Sequence, residues 1–294
     1  MKFGNVLDPL NYKLSLPDDH LDTARILNTT KGQNHLNVHV GCPVWNRTNL
    51  KGFYPRGTKD ELHYYSRQFN AIELNATFYR IFPAEQFAKW YDKTPDGFKF
   101  FPKLNQEISH WKRLKQVDSV CDQFLYNVSN LKEKLGMCFL QLPSNFSPKD
   151  VQNLEAFISS WPDGIELAIE FRHPDWFTNT LELDRMFHLM EQRQMTTVLT
   201  DALGRRDVLH MRLTNSKVML RYVGSNHESD YTRLDDWVLK LKEWNTLGMT
   251  DFNIFIHQNV EKELPLLSSY FIKKLNAELG CNLKVPNEET GTLF

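Results

Sequence analysis

Eight apolar, β-rich runs, each ending in polar or charged residues, constrain this chain more than any other feature. They occupy residues 38–46, 71–75, 98–103, 137–143, 165–173, 196–201, 217–224 and 252–259. Segments with helical patterning separate most of them. Strand–helix alternation of this kind implies a parallel sheet. Eight units imply a single (β/α)8 TIM-like barrel, whose chemistry sits where the strands end. Here the strands end in Glu73, Lys103, Gln141, Glu170, Arg172, Asp201, Arg221 and His257.

The length of 294 residues suits one barrel, which typically needs about 250. Residues 1–35 read as an N-terminal extension packed outside or across the bottom of the barrel, and 36–294 as the barrel itself. The 35 Lys and Arg against 36 Asp and Glu leave a formal charge of -1, so no global basic field exists to hold nucleic acid. Cys42, Cys121, Cys138 and Cys281 show no zinc spacing and read as reduced thiols of a cytoplasmic protein. No run is long enough to cross a membrane.

Helices are expected at 58–69, 83–93, 117–136, 147–161, 181–194, 235–248 and 264–279. Thr58 and Glu61 form a capping-box pattern at the first of these. A short helix is expected at 18–27, with Asp18 or Asp19 at its start. One link is weak. Asp201 and Arg221 are only 20 positions apart, whereas a parallel crossover usually carries a helix. The sixth helix is expected to be short or missing, and residues 208–214 have the alternative of pairing with 217–223 as a hairpin.

Three constellations carry chemistry. Glu170 and Arg172 lie two apart on a strand and so face one side; they read as a carboxylate oriented by a guanidinium, an anion clamp or a structural ion pair. Glu73 and Asn75 share a parity in the same way, with Phe78 and Tyr79 following as rim aromatics. Glu73 with Glu170 would make a carboxylate pair of the kind used on glycosidic bonds. Lys103, Arg172 and Arg221 would set three positive charges around one mouth, suited to a phosphate or carboxylate, with Asn105 and His110 further along the loop after Lys103. Trp45 reads equally as a stacking platform or a plug. No compact metal-ligand motif is present, and the nearby cations would repel a metal ion. No phosphate-cradling glycine loop or dinucleotide fingerprint is present either, so neither metal nor cofactor is expected.

The chain resembles the YecE-like family, a domain of unknown function, on motifs spread from about residue 38 to 275. They are GCPVW with KGFYP (41–45, 51–55), ELNATFY (73–79), TPDGFKFFPK (94–103), ISH (108–110), LGMCFLQLPSNF (135–146), EFRHPDW (170–176), Asp201 and VMLRYVG (218–224). The resemblance implies a TIM-like barrel and no settled activity. It carries over best to Glu73, Lys103, Gln141, Glu170, Arg172, His173, Asp201 and Arg221. The chain departs from the family pattern at Leu50, where a Trp is usual, at Val223, where a His is usual, and in the last strand around His257.

Together these features point to a metal-independent enzyme, hydrolase or lyase in type, acting on a small anionic or sugar-like ligand. In this reading Glu73, Glu170 and Asp201 are catalytic. Trp45, Asn75, Phe78, Tyr79, Lys103, Gln141, Arg172, His173, Arg221 and His257 bind substrate. Two alternatives stay open: a metal-assisted phosphoesterase acting on nucleic acid, for which the basic run 110–115 is the candidate contact, and a non-catalytic ligand-binding or regulatory protein.

Overall fold

A computed structural model describes residues 4–6, 8–32, 35–178 and 180–287. Its eight strands are β1 (Asn37–Cys42), β2 (Ala71–Leu74), β3 (Lys99–Pro102), β4 (Cys138–Gln141), β5 (Leu167–Glu170), β6 (Thr196–Ala202), β7 (Lys217–Gly224) and β8 (Asp251–Gln258). Each neighbouring pair runs parallel, in the order β3-β2-β1-β8-β7-β6-β5-β4. The remaining seam, between β3 and β4, is stitched by Gly136 N–H to the Phe100 carbonyl (2.7 Å) and Leu104 N–H to the Phe139 carbonyl (2.9 Å). The sheet thereby forms a nearly closed (β/α)8 barrel.

Strand parity builds the interior. Ala71, Phe101, Met137, Phe139, Ala168, Val198, Met219 and Phe255 form one buried cluster inside the barrel, where Phe101 and Phe255 meet edge to face with centroids 4.9 Å apart. Large and small residues share this layer because eight strands leave room for side chains and nothing more. Gly41 faces Ala71, whose carbonyl a Cβ would strike; only glycine lets β1 and β2 close there. Two positions beyond the interior layer, the same parity sets Glu73, Lys103, Gln141, Glu170, Thr200, Arg221 and His257 at one end.

The outer shell is helical: α1 (Leu21–Leu27), α2 (Glu61–Tyr65), α3 (Ala76–Tyr79), α4 (Ala84–Lys93), α5 (Asp118–Val128), α6 (Val151–Ser160), α7 (Asp175–Thr178), α8 (Thr180–Gln192), α9 (Ser229–Leu247) and α10 (Leu264–Leu279). Helix starts differ from the sequence expectation in instructive ways. The cap of α2 is Asp60, which accepts from His63 N–H at 3.1 Å; Thr58 instead bonds the Pro55 carbonyl. The cap of α1 is His20, not an aspartate. Helix α9 starts six residues before 235 because the Asp230 carboxylate gathers the Ser225 and Asn226 backbone N–H groups (2.9 Å each).

Between β6 and β7 the chain makes a 3-10 turn (Leu203–Val208) and then an extended stretch, with no α-helix. Residues 208–214 do not form the hairpin considered from the sequence, since β7 pairs with β6 and β8. Helix α1 fills the gap. Its Thr23 hydroxyl donates to the Met211 carbonyl (2.8 Å) and accepts from Leu213 N–H (3.2 Å). Arg25 pairs with Glu191 on α8 at 2.9 Å, and Asp19 accepts from the Trp244 indole of α9 at 2.9 Å. Helix α1 thus runs along the outside wall between two barrel helices, whereas residues 4–5 reach the C-terminal strand ends, where the Gly4 carbonyl accepts from Gly204 N–H (3.0 Å) and Asn5 Oδ1 accepts from Asn259 Nδ2 (2.7 Å). Among the described residues no helix is long and apolar enough to cross a membrane.

Candidate functional site

Seven inward strand-end residues meet as one network. Arg221 is its centre, fully buried between two carboxylates. Its Nε and Nη2 donate to Glu73 at 2.9 and 2.8 Å, and its Nη1 donates to Glu170 at 2.9 Å. Glu73 also accepts from Asn75 Nδ2 (2.7 Å) and His257 Nε2 (3.0 Å). Glu170 also accepts from Gln141 Nε2, Arg172 Nε and Thr200 Oγ1, each at 2.8 Å. Each carboxylate therefore accepts four hydrogen bonds, which uses the lone-pair sites a carboxylate has.

Burial works against ionisation of both glutamates, but the charges around them outweigh it. Arg172 and Arg221 hold Glu170, and Arg221 and His257 hold Glu73, well below the usual carboxylate range. An ionised Glu73 only accepts, so His257 carries its proton on Nε2; the 3.5 Å approach of Arg221 Nη2 to that nitrogen is then no hydrogen bond. Burial lowers the His257 pKa, against the pull of Glu73.

Lys103 sits at the edge of this network. Its Nζ donates to Gln141 Oε1 at 2.8 Å and lies 4.1 Å from the Phe78 ring centroid. It forms no ion pair among the described residues. Burial first, then repulsion from Arg221 and Arg172, brings its pKa down from 10.5 to about 7. Phe78 also packs edge-on against His110, centroids 4.8 Å apart, and Ser109 Oγ lies 2.8 Å from His110 Nδ1. Burial and the nearby cations lower His110 to about 4, so its imidazole is neutral.

The loop that carries His110 is strained. Glu107–Trp111 forms a π-helical turn, and Arg113, Leu114 and Gln116 then take φ of 49°, 64° and 50°. Such geometry is costly away from glycine and concentrates at functional segments. It is held by Leu114 N–H on the Ile108 carbonyl (2.9 Å) and by Arg113 on Asn145 and Asp150 (2.9 and 2.6 Å). The basic run 110–115 is thus partly neutralised: Arg113 pairs with Asp150, and Lys112 with Glu107 at 3.2 Å.

The structure brings together Glu73, Asn75, Lys103, Gln141, Glu170, Arg172, Arg221 and His257, with Phe78 over the lysine. It separates four other sequence candidates from them. Asp201 points outward, where it binds Arg233 (2.6 Å), Arg206 (3.0 Å) and the Trp237 indole (2.8 Å); its neighbour Thr200 takes the inward place. His173 accepts from Asp175 N–H at the start of α7. Trp45 packs edge-on against Trp90, centroids 5.7 Å apart, and its carbonyl accepts from Tyr54. Tyr79 stands 72% exposed on the outer side of Phe78. Thr200 and His110 are the residues the sequence reading left out of the site.

Among the described residues no group of three or more His, Cys, Asp or Glu is placed to hold a metal ion. The carboxylates that would serve are already engaged by guanidinium and amide donors. A cavity of about 500 Å³ lies at the opposite end of the barrel, lined by His39, Lys99, Glu166, Lys217 and Asp251 among others; that end ordinarily serves stability.

Fold and site together define a parallel (β/α)8 barrel with a buried, interlocked charge cluster at the C-terminal strand ends. The family model described as "Protein of unknown function DUF72" matches residues 39–290, and the chain belongs to that family. It is 26% identical over 275 residues to the UPF0759 protein YecE of Escherichia coli strain K12, which covers 86% of this chain and 99% of that one. To the UPF0759 protein YunF of Bacillus subtilis strain 168 it is 30% identical over 151 residues, 48% of this chain and 52% of that one. The fold resembles the crystal structure of a DUF72 family protein from Enterococcus faecalis V583, with a TM-score of 0.67 at 19% identity over 81% of this chain and 95% of that one.

Proposed function

We propose that the protein is a metal-independent enzyme, hydrolase or lyase in type, that takes a small anionic substrate at the C-terminal mouth of the barrel. One observation supports this above the rest: two of the three cations of the cluster stand on its outer side. Glu73 and Glu170 are fully buried, whereas Lys103 is 7% exposed and the Arg172 side chain 12% exposed. Two cations, Lys103 and Arg172, lie outermost, with Arg221 and both carboxylates beneath them. A ligand arriving from the mouth meets guanidinium and ammonium first, which suits a carboxylate or phosphate.

The saturated carboxylates act in this reading as the scaffold that aims Arg221, Arg172 and Gln141. They are not the pair that moves protons. Proton transfer falls to the groups that titrate or stay neutral near pH 7, Lys103 and His110. The four free cysteines suit the reducing cytoplasm as the place of work.

Thermal-shift titration with inorganic phosphate, pyruvate and simple sugar phosphates tests the anion site. A ligand at a hundred times its Kd stabilises by about 2.7 kcal/mol, a shift of a few degrees for a domain of this size. Arg172→Ala should weaken the response at least tenfold while the fold survives, because a charge-assisted contact contributes about 1.5–3 kcal/mol. No stabilisation of the wild type by any of these anions would remove the basis of the reading.

A further inference from the structure

We propose that Lys103 is the nucleophilic amine of a Schiff-base site, forming an imine with the carbonyl carbon of a small aldehyde or ketone that also carries a carboxylate or phosphate. This deepens the anion-site reading and rests on it.

The geometry singles out Lys103 among the cations of the cluster. Arg221 is matched by Glu73 and Glu170, and Arg172 by Glu170. Lys103 has an amide and an aromatic ring instead of a counter-charge. The amide orientation is fixed. Gln141 must turn its NH2 to the acceptor-only Glu170, so its Oε1 faces Lys103. That contact uses one N–H of the amine and directs Nζ without neutralising it. The side chain projects from the end of β3 into the mouth, where reacting groups of barrel enzymes stand.

The chemical consequence is a free amine. With its pKa near 7, about half of Lys103 is unprotonated at neutral pH, against about one in three thousand for a lysine of ordinary pKa. Lysines lowered in this way, by desolvation and a neighbouring cation, are the ones that form imines with carbonyl substrates.

The step balances without an outside oxidant or reductant. The Nζ lone pair attacks the carbonyl carbon, and the C=O π pair moves to oxygen. The neutral His110 imidazole takes the proton released from nitrogen and returns it to the carbinolamine oxygen. One further proton from solvent lets that oxygen leave as water, giving a protonated imine on Lys103. Arg172 holds the anionic group of the substrate. The iminium then serves as an electron sink for cleavage or elimination at the adjacent carbon, which is lyase chemistry.

The test uses the full chain with two probes, pyruvate and pyridoxal 5′-phosphate, each trapped with cyanoborohydride and located by peptide mapping. At pH 7 the adduct should fall on Lys103 at least tenfold in preference to every other lysine. The same map of wild-type protein at pH 9 should show that preference shrinking as ordinary lysines begin to deprotonate; this arm needs no variant. Lys103→Met, checked for fold by circular dichroism, should lose the selective adduct, and Arg172→Ala should form it at least tenfold more slowly. Labelling spread evenly over surface lysines would overturn the imine. If phosphate still stabilises the wild type in an Arg172-dependent way, the anion site stands and only the imine fails. If that response is absent too, both fail.

Discussion

Replacing Arg221 with Met removes the one group, among the described residues, that touches both buried glutamates. The variant loses three charge-assisted hydrogen bonds of 2.8–2.9 Å. It leaves Glu73 with only Asn75 and His257, and Glu170 with Arg172, Gln141 and Thr200. Breaking a buried ion pair from one side costs about 3–5 kcal/mol, because the abandoned charge stays desolvated. That is a large share of the roughly 5–15 kcal/mol that holds a domain together. Urea denaturation at pH 7 should show the loss as a lower midpoint with little change in slope.

Its pH dependence separates this explanation from simple loss of packing. In the wild type both glutamates have depressed pKa values. Their contribution is complete above the ordinary carboxylate pKa and is lost as pH falls through the folded value. In the variant, burial without Arg221 pushes the Glu73 pKa up instead. Its penalty is then full above that raised value and fades as acid protonates the group. The gap between the two proteins should be widest near pH 7–8 and narrow toward pH 5. Glu73→Gln in the Arg221→Met background should recover part of the loss at pH 7. A gap under about 1 kcal/mol, or one that does not narrow on acidification, would refute the reasoning.

Asp201→Asn should cost about 3 kcal/mol in denaturant, since the fully buried Arg233 keeps, among the described residues, only Asp230 at 3.4 Å as a carboxylate partner, beside the backbone carbonyls of Asp201 (3.1 Å) and Val223 (3.3 Å); anion binding at the mouth should not change. Lys103 folds with a pKa near 7 and unfolds to about 10.5, so between those values the unfolded chain binds more protons and stability rises with pH. Relative to Lys103→Met, the wild type should gain up to about 1.4 kcal/mol per pH unit across that window, read by urea midpoints at pH 7, 8 and 9. Anion binding should be the same before and after treatment with a chelator, and elemental analysis should find no stoichiometric zinc, manganese or iron.

The barrel was legible because its signal is redundant: eight β-rich runs, each short, at the spacing that helices need. The site was legible wherever a strand kept a polar residue two positions beyond an apolar inward one, as in Ala71–Glu73, Ala168–Glu170 and Met219–Arg221. Strand β6 shows the limit. Its residues Thr196–Ala202 are buried on both faces, as parallel strands usually are, so alternation does not mark the inward side. Asp201 carries the more conspicuous side chain and drew the assignment; Thr200 holds the position. His110, noted in the sequence on the loop after Lys103, was left out of the site for another reason. It sits in a π-turn followed by three left-handed residues, none of them glycine, and no composition rule announces such a turn. Nor does local patterning tell where α1 docks, because Thr23 finds its partner Met211 188 residues away.

The charge balance of the mouth connects the anion site to the imine. Glu73, Glu170, Arg221 and Arg172 sum to zero, with both guanidiniums committed to the carboxylates. A protonated Lys103 would leave one uncompensated positive charge beside two guanidiniums in a largely desolvated place. That repulsion, with burial, leaves about half of Lys103 as the free amine near pH 7, and the amine is the nucleophile. An iminium restores the positive charge, and on its own it would face the same repulsion. A substrate that brings a carboxylate or phosphate supplies the missing negative charge at the moment the iminium forms. A neutral carbonyl compound does not. The same five side chains would thus select for the anionic group and make the covalent step depend on it, so a purely neutral ketone should bind weakly and react more slowly still.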